Sequence, residues 1–268
     1  MRVVMTGAAG GVGTMIRPHL RAFVDQLVLS DRVAVTDVEG PESFSQVDIT
    51  DLAAMERLLE GADGLIHLGG QSVEGSWDAV LNANIIGLHN TYEAARRQGC
   101  NRIIFATTNH VVGFYRRQRT IDHDVMPRPD SRYGVSKAFG EALGRMYADK
   151  HGMRFLNIRI GNAEHKPADR RRLSIWISPR DLTQLIRIGL EHPDLHFEVV
   201  YGVSRNARAW YDNSNAYRLG YRPDDEAEDY AAEATEADLA LAADPIGEQF
   251  QGGGFCTNEF TGDVKRTS

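Results

Sequence analysis

The sequence has little cysteine, and its two cysteines do not form a recognisable metal or disulfide motif. Cys100 and Cys256 lie far apart in a chain of 268 residues, without the short spacing of metal-binding cysteines. We therefore expect a reduced protein with no bound metal.

Long apolar runs and an excess of positive charge are also missing. No segment approaches the roughly 20 apolar residues that a membrane-spanning helix requires, and the first residues, MRVVMTGAAGG, lack a secretory apolar segment. The formal net charge is −7 and the pI about 5.7, which disfavours nucleic acid and anionic membranes as partners. These features predict a cytoplasmic protein that binds neither.

Short β-rich runs alternate with helical patterns along the first 160 residues. Strands are expected at 2–6, 26–31, 44–48, 64–70, 102–108 and 154–160. Helices are expected between them, at about 11–23, 51–61, 77–98 and 132–151. This alternation is typical of a parallel sheet covered by helices on both faces. It predicts an α/β fold with a doubly wound parallel sheet formed by residues 1–160.

Residues 161–268 have a different texture and are expected to form a small substrate-binding lobe and tail within the same compact unit. A helix is predicted at 179–192 and a strand at 197–203. The stretch 223–244 is rich in acidic residues and alanine, which favours a solvated helix or loop over a binding tail. The tail segment FQGGGF (250–255) contains too much glycine for a helix.

A glycine-rich turn, TGAAGGVG (6–13), follows the first strand and opens the first helix. Glycines at such a turn let the main chain approach a pyrophosphate, which is then bound by amide groups at the helix N-terminus. The second strand ends at Asp31, where a carboxylate can accept hydrogen bonds from the adenosine ribose and repel a 2′-phosphate. This favours NAD, although Arg32 could instead serve NADP. The cofactor residues predicted here are Gly7, Gly10, Gly11, Val12, Gly13, Asp31 and Asp48.

The segment YGVSK places Tyr133 and Lys137 four residues apart, and so on one face of a helix. A lysine that reaches the nicotinamide ribose can lower the phenol pKa from about 10 toward neutrality, so that the tyrosine acts as a general base. Such a spacing alone is common at protein surfaces, but here it follows a glycine-rich turn. The strand RIIFATT supplies a hydroxyl partner at its end, and we select Thr108 over Thr107.

Together, these motifs resemble the extended short-chain dehydrogenase/reductase family, which is NAD-dependent epimerase/dehydratase-like and has a Rossmann-type fold. The resemblance is carried by TGxxGxxG, the Asp31 strand end, HLGG (67–70), NANIIG (82–87) and YxxxK. Within the family the chain is most similar to uronate dehydrogenases. The matching segments are HLGGQSVEGSW (67–77), NIIGLHNTYEAAR (84–96), FATTNHVVGFY (105–115), RPDSRYGVSKAFGE (128–141) and FQGGGF.

The resemblance implies oxidation of a hexuronate at C1 to an aldarolactone, with NAD as the acceptor and Tyr133, Lys137 and Thr108 as the catalytic residues. It also implies a homo-oligomer, formed through the helix that carries Tyr133. Further cofactor contacts are implied for Ile49, Leu68, Gly69 and Asn84, the last holding the lysine through ordered water. The substrate would contact Ser72, Thr108, Asn109, His110, Tyr133, Asn162 and Arg171, the arginine binding the uronate carboxylate.

Two departures from the uronate dehydrogenase pattern leave other sugars open. Asn162 stands where those enzymes carry serine, and Arg171 lies between two further arginines. Three arginines could suit a sugar phosphate or a sulfonated hexose, whereas a solvated basic loop would need no ligand. A neutral aldose, a nucleotide-sugar epimerase or dehydratase, and a non-catalytic NAD sensor are the remaining alternatives. Net reduction of the cofactor by a free sugar would separate a dehydrogenase from the last two.

Overall fold

A computed structural model describes residues 1–267 of the chain. The strands are β1 (Arg2–Thr6), β2 (Gln26–Asp31), β3 (Glu42–Gln46), β4 (Gly64–His67), β5 (Arg102–Thr108), β6 (Arg154–Ile160), β7 (Asn162–Ala163), β8 (Trp176–Ile177) and β9 (Phe197–Gly202). The helices are α1 (Gly11–Leu20), α2 (Leu52–Leu59), α3 (Trp77–Val80), α4 (Leu88–Gln98), α5 (Arg132–His151), α6 (Arg172–Ile175), α7 (Pro179–Glu191), α8 (Ser214–Arg218), α9 (Ala231–Asp238) and α10 (Gly254–Thr257). A π-helical segment, Leu81–Gly87, joins α3 to α4 without a break.

Seven strands form one parallel sheet in the order β3-β2-β1-β4-β5-β6-β9. Successive residues of a strand point to opposite faces, so β1 sends Val3 and Met5 to one hydrophobic cluster and Val4 to another. Helices α1 and α7 cover the first face, and α2, α4 and α5 cover the second. The doubly wound α/β fold is thus confirmed.

The sheet continues beyond residue 160, where we expected it to end. The apolar face of α7 packs on α1, β5 and β6, and β9 pairs with β6 as the seventh strand. Periodicity shows that a segment is a strand, but not which sheet it joins, so the sequence pattern alone does not separate this part of the sheet from a substrate lobe. The division at residue 160 remains a prediction, although α7 and β9 belong to the main sheet layers.

Smaller corrections concern the ends of elements. Strand β3 lies two residues before its predicted position, because Asp48 accepts a hydrogen bond from Thr50 in a turn that follows the strand. The expectation of no helix in the tail FQGGGF was wrong at its last residues. Helix α10 begins at Gly254, after Gly253 turns the chain at a φ of +64°. Among residues 1–267, no helix has the length and apolar character needed to cross a membrane.

Candidate active site

The glycine-rich turn brings β1, α1 and the end of β4 into close contact. Gly7 has a φ of +73°, and a Cβ atom there would lie 2.6 Å from the main-chain carbonyl carbon of Leu68. A Cβ at Gly13 would lie 2.7 Å from the Gly7 carbonyl oxygen. No side chain caps the N-terminus of α1, so its first amides are open to an anion. The turn therefore fits the pyrophosphate of a dinucleotide.

The Asp31 carboxylate is anchored beside this turn by two main-chain amides. Its Oδ2 accepts a hydrogen bond from Ala9 N and its Oδ1 from Val33 N, both at 3.1 Å. Arg32 is exposed. A fixed carboxylate here fits ribose hydroxyls and repels a phosphate, as NAD rather than NADP requires. Asp48 is also exposed, and the hydrogen bonds from the amide and hydroxyl of Thr50 lower the pKa of its carboxyl.

A cavity of about 850 Å³ opens at the carboxyl ends of β4, β5 and β6. From the predicted cofactor residues, its walls include Val12, Leu68 and Lys137. From the predicted substrate residues they include Ser72, Thr108, His110, Tyr133, Asn162 and Arg171. Asn109 is fully buried and lies outside these walls. The structure thus brings the catalytic residues and most of the predicted substrate residues to one cavity, at the end of the sheet where such folds bind ligands.

Tyr133, Thr108 and Lys137 lie together as the sequence predicts. The Tyr133 hydroxyl lies close enough to Thr108 for that side chain to lower its pKa, and Thr108 Oγ1 accepts a hydrogen bond from His110 N at 3.2 Å. Lys137 Nζ donates to the Ala106 carbonyl at 2.8 Å and lies 5.8 Å from the centroid of the Tyr133 ring. Thr107 instead donates to Glu141, a buried carboxylate that pairs with Arg159. Only one of the two threonine hydroxyls is therefore directed to Tyr133.

Burial has the largest effect on the pKa values of Tyr133 and Lys137. It raises the pKa of Tyr133 to about 12, against the opposing effect of Thr108, and it lowers the pKa of Lys137 to about 8. The expected lowering of the phenol pKa is thus not produced by the side chains, because desolvation of the phenolate exceeds their effect.

Asn84 makes contacts other than those expected. Its Oδ1 accepts a hydrogen bond from Gln71 N at 2.7 Å, and its Nδ2 donates to the Gln71 carbonyl and to Ser136 Oγ. Ser136 Oγ in turn donates to the Tyr133 carbonyl. Both amide hydrogens of Asn84 are therefore used to join the loop after β4 to α5. These contacts support a positioning role for Asn84, and the water-mediated support of Lys137 stays a prediction.

His110 is held in the cavity wall by two residues that the sequence reasoning missed. Its Nδ1 lies 2.7 Å from Oδ2 of the buried Asp130, and its ring stacks on Phe255 at 3.8 Å between centroids. A carboxylate only accepts hydrogen bonds, so Nδ1 carries the hydrogen. Phe255 comes from the tail, and no local signal connects it with His110.

Arg171 differs from the arginines on either side of it. Arg172 forms an ion pair with Asp169, and Arg170 is exposed and borders a second cavity of about 800 Å³, away from Tyr133. Arg171 lines both cavities, and its Nε and Nη2 both donate to the Gln251 carbonyl. Burial lowers the pKa of this guanidinium to about 10. Within residues 1–267 it has no carboxylate partner, so it is available to an anionic ligand.

The fold and this site define a Rossmann-type oxidoreductase, and comparison with known proteins agrees. Residues 3–184 match the family described as the NAD dependent epimerase/dehydratase family, and the chain belongs to that family. A uronate dehydrogenase from Pseudomonas putida is 44% identical over 255 residues, or 95% of each chain.

Solved structures give the same result. A uronate dehydrogenase from Agrobacterium tumefaciens complexed with NAD aligns with a TM-score of 0.91 and 41% identity, covering 96% of this chain and 97% of that one. A glucuronic acid dehydrogenase from Chromohalobacter salexigens aligns with a TM-score of 0.91 and 43% identity, covering 96% of each chain. The similarity spans both the sheet and the tail.

Proposed function

We propose that this protein oxidises a hexuronate, glucuronate or galacturonate, at C1 to the aldarolactone with NAD. One observation carries the proposal beyond the family: a single cavity combines the Tyr133–Thr108 hydroxyl pair with a half-buried arginine, Arg171, that has no carboxylate partner among the described residues 1–267. The first group suits a sugar hydroxyl, and the second suits a sugar acid. Relatives that are similar over almost the whole chain are named uronate dehydrogenase and glucuronic acid dehydrogenase.

Tyr133 removes the proton of the C1 hydroxyl, and the Thr108 hydroxyl holds the oxygen from which the proton leaves. NAD, when bound, supplies the acceptor for the hydrogen on C1. Lys137 would hold the ribose of that cofactor, and its ammonium, 5.8 Å from the centroid of the Tyr133 ring, favours the phenolate form of Tyr133. Burial opposes the ionisation of both Tyr133 and Lys137. The Tyr133 phenolate therefore needs the positive charge of Lys137 in order to form.

Arg171 binds the uronate carboxylate through its planar guanidinium, which can donate two parallel hydrogen bonds. Asn162 lines the same cavity with a buried side-chain oxygen that has no partner among residues 1–267, and this oxygen accepts from a sugar hydroxyl. Ser72 and the His110–Asp130 pair supply further polar contacts. Asn109 is fully buried, and its Oδ1 lies 3.5 Å from Thr108 Oγ1.

The arginine loop favours a carboxylate over a phosphate or sulfonate. Of the three consecutive arginines, Arg172 is neutralised by Asp169 and Arg170 lies away from Tyr133. One unpaired guanidinium matches the single charge of a uronate. A dehydratase is less well supported, because the neutral Asn109 follows Thr108 where a dehydratase places an acid.

The cofactor would be held by the glycine-rich turn, with its ribose against Asp31 and its adenine near Asp48 and Ile49. We also propose a cytoplasmic homo-oligomer. Both cysteines are free and buried, as a reducing compartment allows. Exposed apolar side chains on the helices that carry Trp77, Ile86 and Val135 supply a surface for a second copy. Light scattering of Val135→Glu against the parent would test this surface.

A substrate panel tests the function. NADH absorbance would be followed with glucuronate, galacturonate, glucose, glucose 6-phosphate and a sulfonated hexose, each with NAD and NADP. Uronates with NAD should be preferred, and Tyr133→Phe should reduce turnover by about 10² to 10⁴-fold while leaving NAD binding intact. The matched control is Tyr147→Phe, which lies on the same helix and donates to Glu93. Preference for a phosphorylated or sulfonated sugar would reject the substrate but not the dehydrogenase chemistry.

A further inference from the structure

The first turn of α5 is capped by two side chains from different parts of the chain. Ser131 Oγ accepts a hydrogen bond from Gly134 N at 3.0 Å, which is a local cap. Glu74 Oε2 accepts from Tyr133 N, also at 3.0 Å, although Glu74 lies 59 residues earlier. A remote carboxylate is therefore bound to the main chain of the proposed general base itself.

Glu74 also forms an ion pair at the same place. Its Oε1 accepts from Arg132 Nη1 at 2.7 Å, and Arg132 Nη2 donates to Glu259 in the tail at 2.8 Å. The Glu74 side chain is 17% exposed, whereas that of Glu259 is 65% exposed. The inner contact is thus shielded from water, while the outer one is a surface pair that contributes little.

The loop that carries Glu74 forms part of the cavity. Gln71, Ser72 and Glu74 all line it, between the end of β4 and the start of α3. Asn84 fastens this loop to α5 through Gln71 and Ser136, and Glu74 fastens it a second time at Tyr133 N. The substrate-facing loop and the helix of the base are therefore held in one arrangement by two separate contacts.

We propose that Glu74 is a positioning residue for Tyr133, fixing its main chain so that the hydroxyl stays against Thr108. The inference rests on the proposed function, since it concerns the base of that reaction. Glu74 touches the peptide amide and not the hydroxyl, so it acts through Tyr133. Its loss leaves the Tyr133 amide without its acceptor and releases the loop on one side. Small displacements of a reacting group reduce rates strongly.

The test compares Glu74→Ala and Glu74→Gln with Glu259→Gln. Enzyme saturated with NAD would be mixed rapidly with saturating glucuronate, and the first-turnover rate of NADH formation would be divided by the number of NAD-binding sites titrated in the same sample. This normalisation removes any loss of folded protein. The panel of sugars measured on the parent identifies the substrate independently.

Glu74→Ala should lower the rate per site by about tenfold or more, with the Kd for NAD nearly unchanged. Glu74→Gln keeps a carbonyl oxygen for the Tyr133 amide and should stay within about threefold of the parent. Glu259→Gln should match the parent. A parent-like rate for Glu74→Ala would overturn the inference, and so would equal losses for the alanine and glutamine variants. Failure of the parent to oxidise any uronate would reject the proposed substrate alone, and the comparison would then use the sugar that is oxidised.

Discussion

Lys137 and Arg171 are two cations in one cavity, and each is held by a single main-chain carbonyl. Lys137 donates to Ala106 from the rigid helix α5, and Arg171 donates to Gln251 from a loop covered by the tail. Burial lowers the pKa of both groups, and neither has a carboxylate partner within residues 1–267. Arg159 is the contrasting case, because it is buried but paired with Glu141.

The paired Arg159 and the unpaired Lys137 and Arg171 illustrate two uses of a buried cation. The first use is to support the fold, and the second is to bind a ligand. Although burial opposes it, hydrogen bonding to Glu141 raises the pKa of Arg159, so its charge is stabilised by the protein itself. The charges of Lys137 and Arg171 are not stabilised by a carboxylate among residues 1–267. An unpaired charge that is removed from water costs free energy. We infer that this cost is retained because cofactor and substrate complete the two sites.

The largest expected effect is the loss of activity in Lys137→Met. Removal of the ammonium leaves the phenolate of Tyr133 without its nearest positive charge, and NADH formation should fall by about 10² to 10⁴-fold. Steady-state kinetics with saturating NAD and glucuronate would measure the loss. Lys150→Met, an exposed position in the last turn of the same helix, serves as the control. Activity near that of the control would remove Lys137 from the mechanism.

Arg171→Ala should weaken the binding of a uronate and leave the oxidation of a neutral sugar nearly unchanged. If the carboxylate pair is desolvated, its loss costs about 2 to 5 kcal/mol, so kcat/KM for glucuronate should fall by more than tenfold. Glucose has no carboxylate and should change little, while Arg171→Lys should recover only part of the loss. Arg170→Ala, beside the second cavity, is the matched control. Equal losses for glucuronate and glucose would show that Arg171 holds the loop rather than the anion.

The comparison of paired and unpaired cations predicts that Glu141→Gln and Lys137→Met change the free energy of unfolding in opposite directions. Breaking the buried pair by Glu141→Gln should destabilise the protein by about 3 to 5 kcal/mol. Lys137→Met should instead stabilise it at pH 7, by up to about 3 kcal/mol, because the folded pKa near 8 lies below the unfolded value of 10.5. Urea unfolding at fixed pH would measure both free energies.

The pH dependence follows from the direction of the Lys137 shift. Folding favours neutral lysine, so its cost is full below about pH 8 and is relieved as the pH rises toward 10.5. The advantage of Lys137→Met should therefore shrink over that range. A constant difference between the parent and Lys137→Met from pH 7 to 10 would contradict an unpaired, buried ammonium.

The residues that the sequence predicted well are those whose signal is local. The glycine turn, the Asp31 strand end and the Tyr133–Lys137 spacing each lie within one turn or one element, and α5 and β6 have the predicted bounds. Buried parallel strands are short apolar runs that are easily read. The doubly wound sheet could therefore be predicted almost completely up to β6.

Contacts between distant segments could not be predicted in this way. Glu74 reaches Tyr133 N, Phe255 stacks on His110, and Gln251 binds Arg171 through its carbonyl, which any residue type could supply. No spacing rule connects such pairs, because they depend on how loops and tail cover the sheet. For the same reason the pattern did not show that β9 joins the main sheet.

Asp31→Ala has the smallest expected effect and extends the comparison to an anion. Unlike the two cations, the Asp31 carboxylate is stabilised by two main-chain amides, yet it is half-exposed where the ribose is expected. Its removal should weaken the binding of NAD and relieve the repulsion of the NADP 2′-phosphate. The ratio of kcat/KM for NAD to kcat/KM for NADP should therefore fall by about tenfold. The exposed Arg32 would then be free to bind a 2′-phosphate, and Asp31→Ala/Arg32→Ala should lose that gain. The kcat/KM values for both cofactors at saturating glucuronate would decide. A parent that already prefers NADP would show that Asp31 does not select the cofactor.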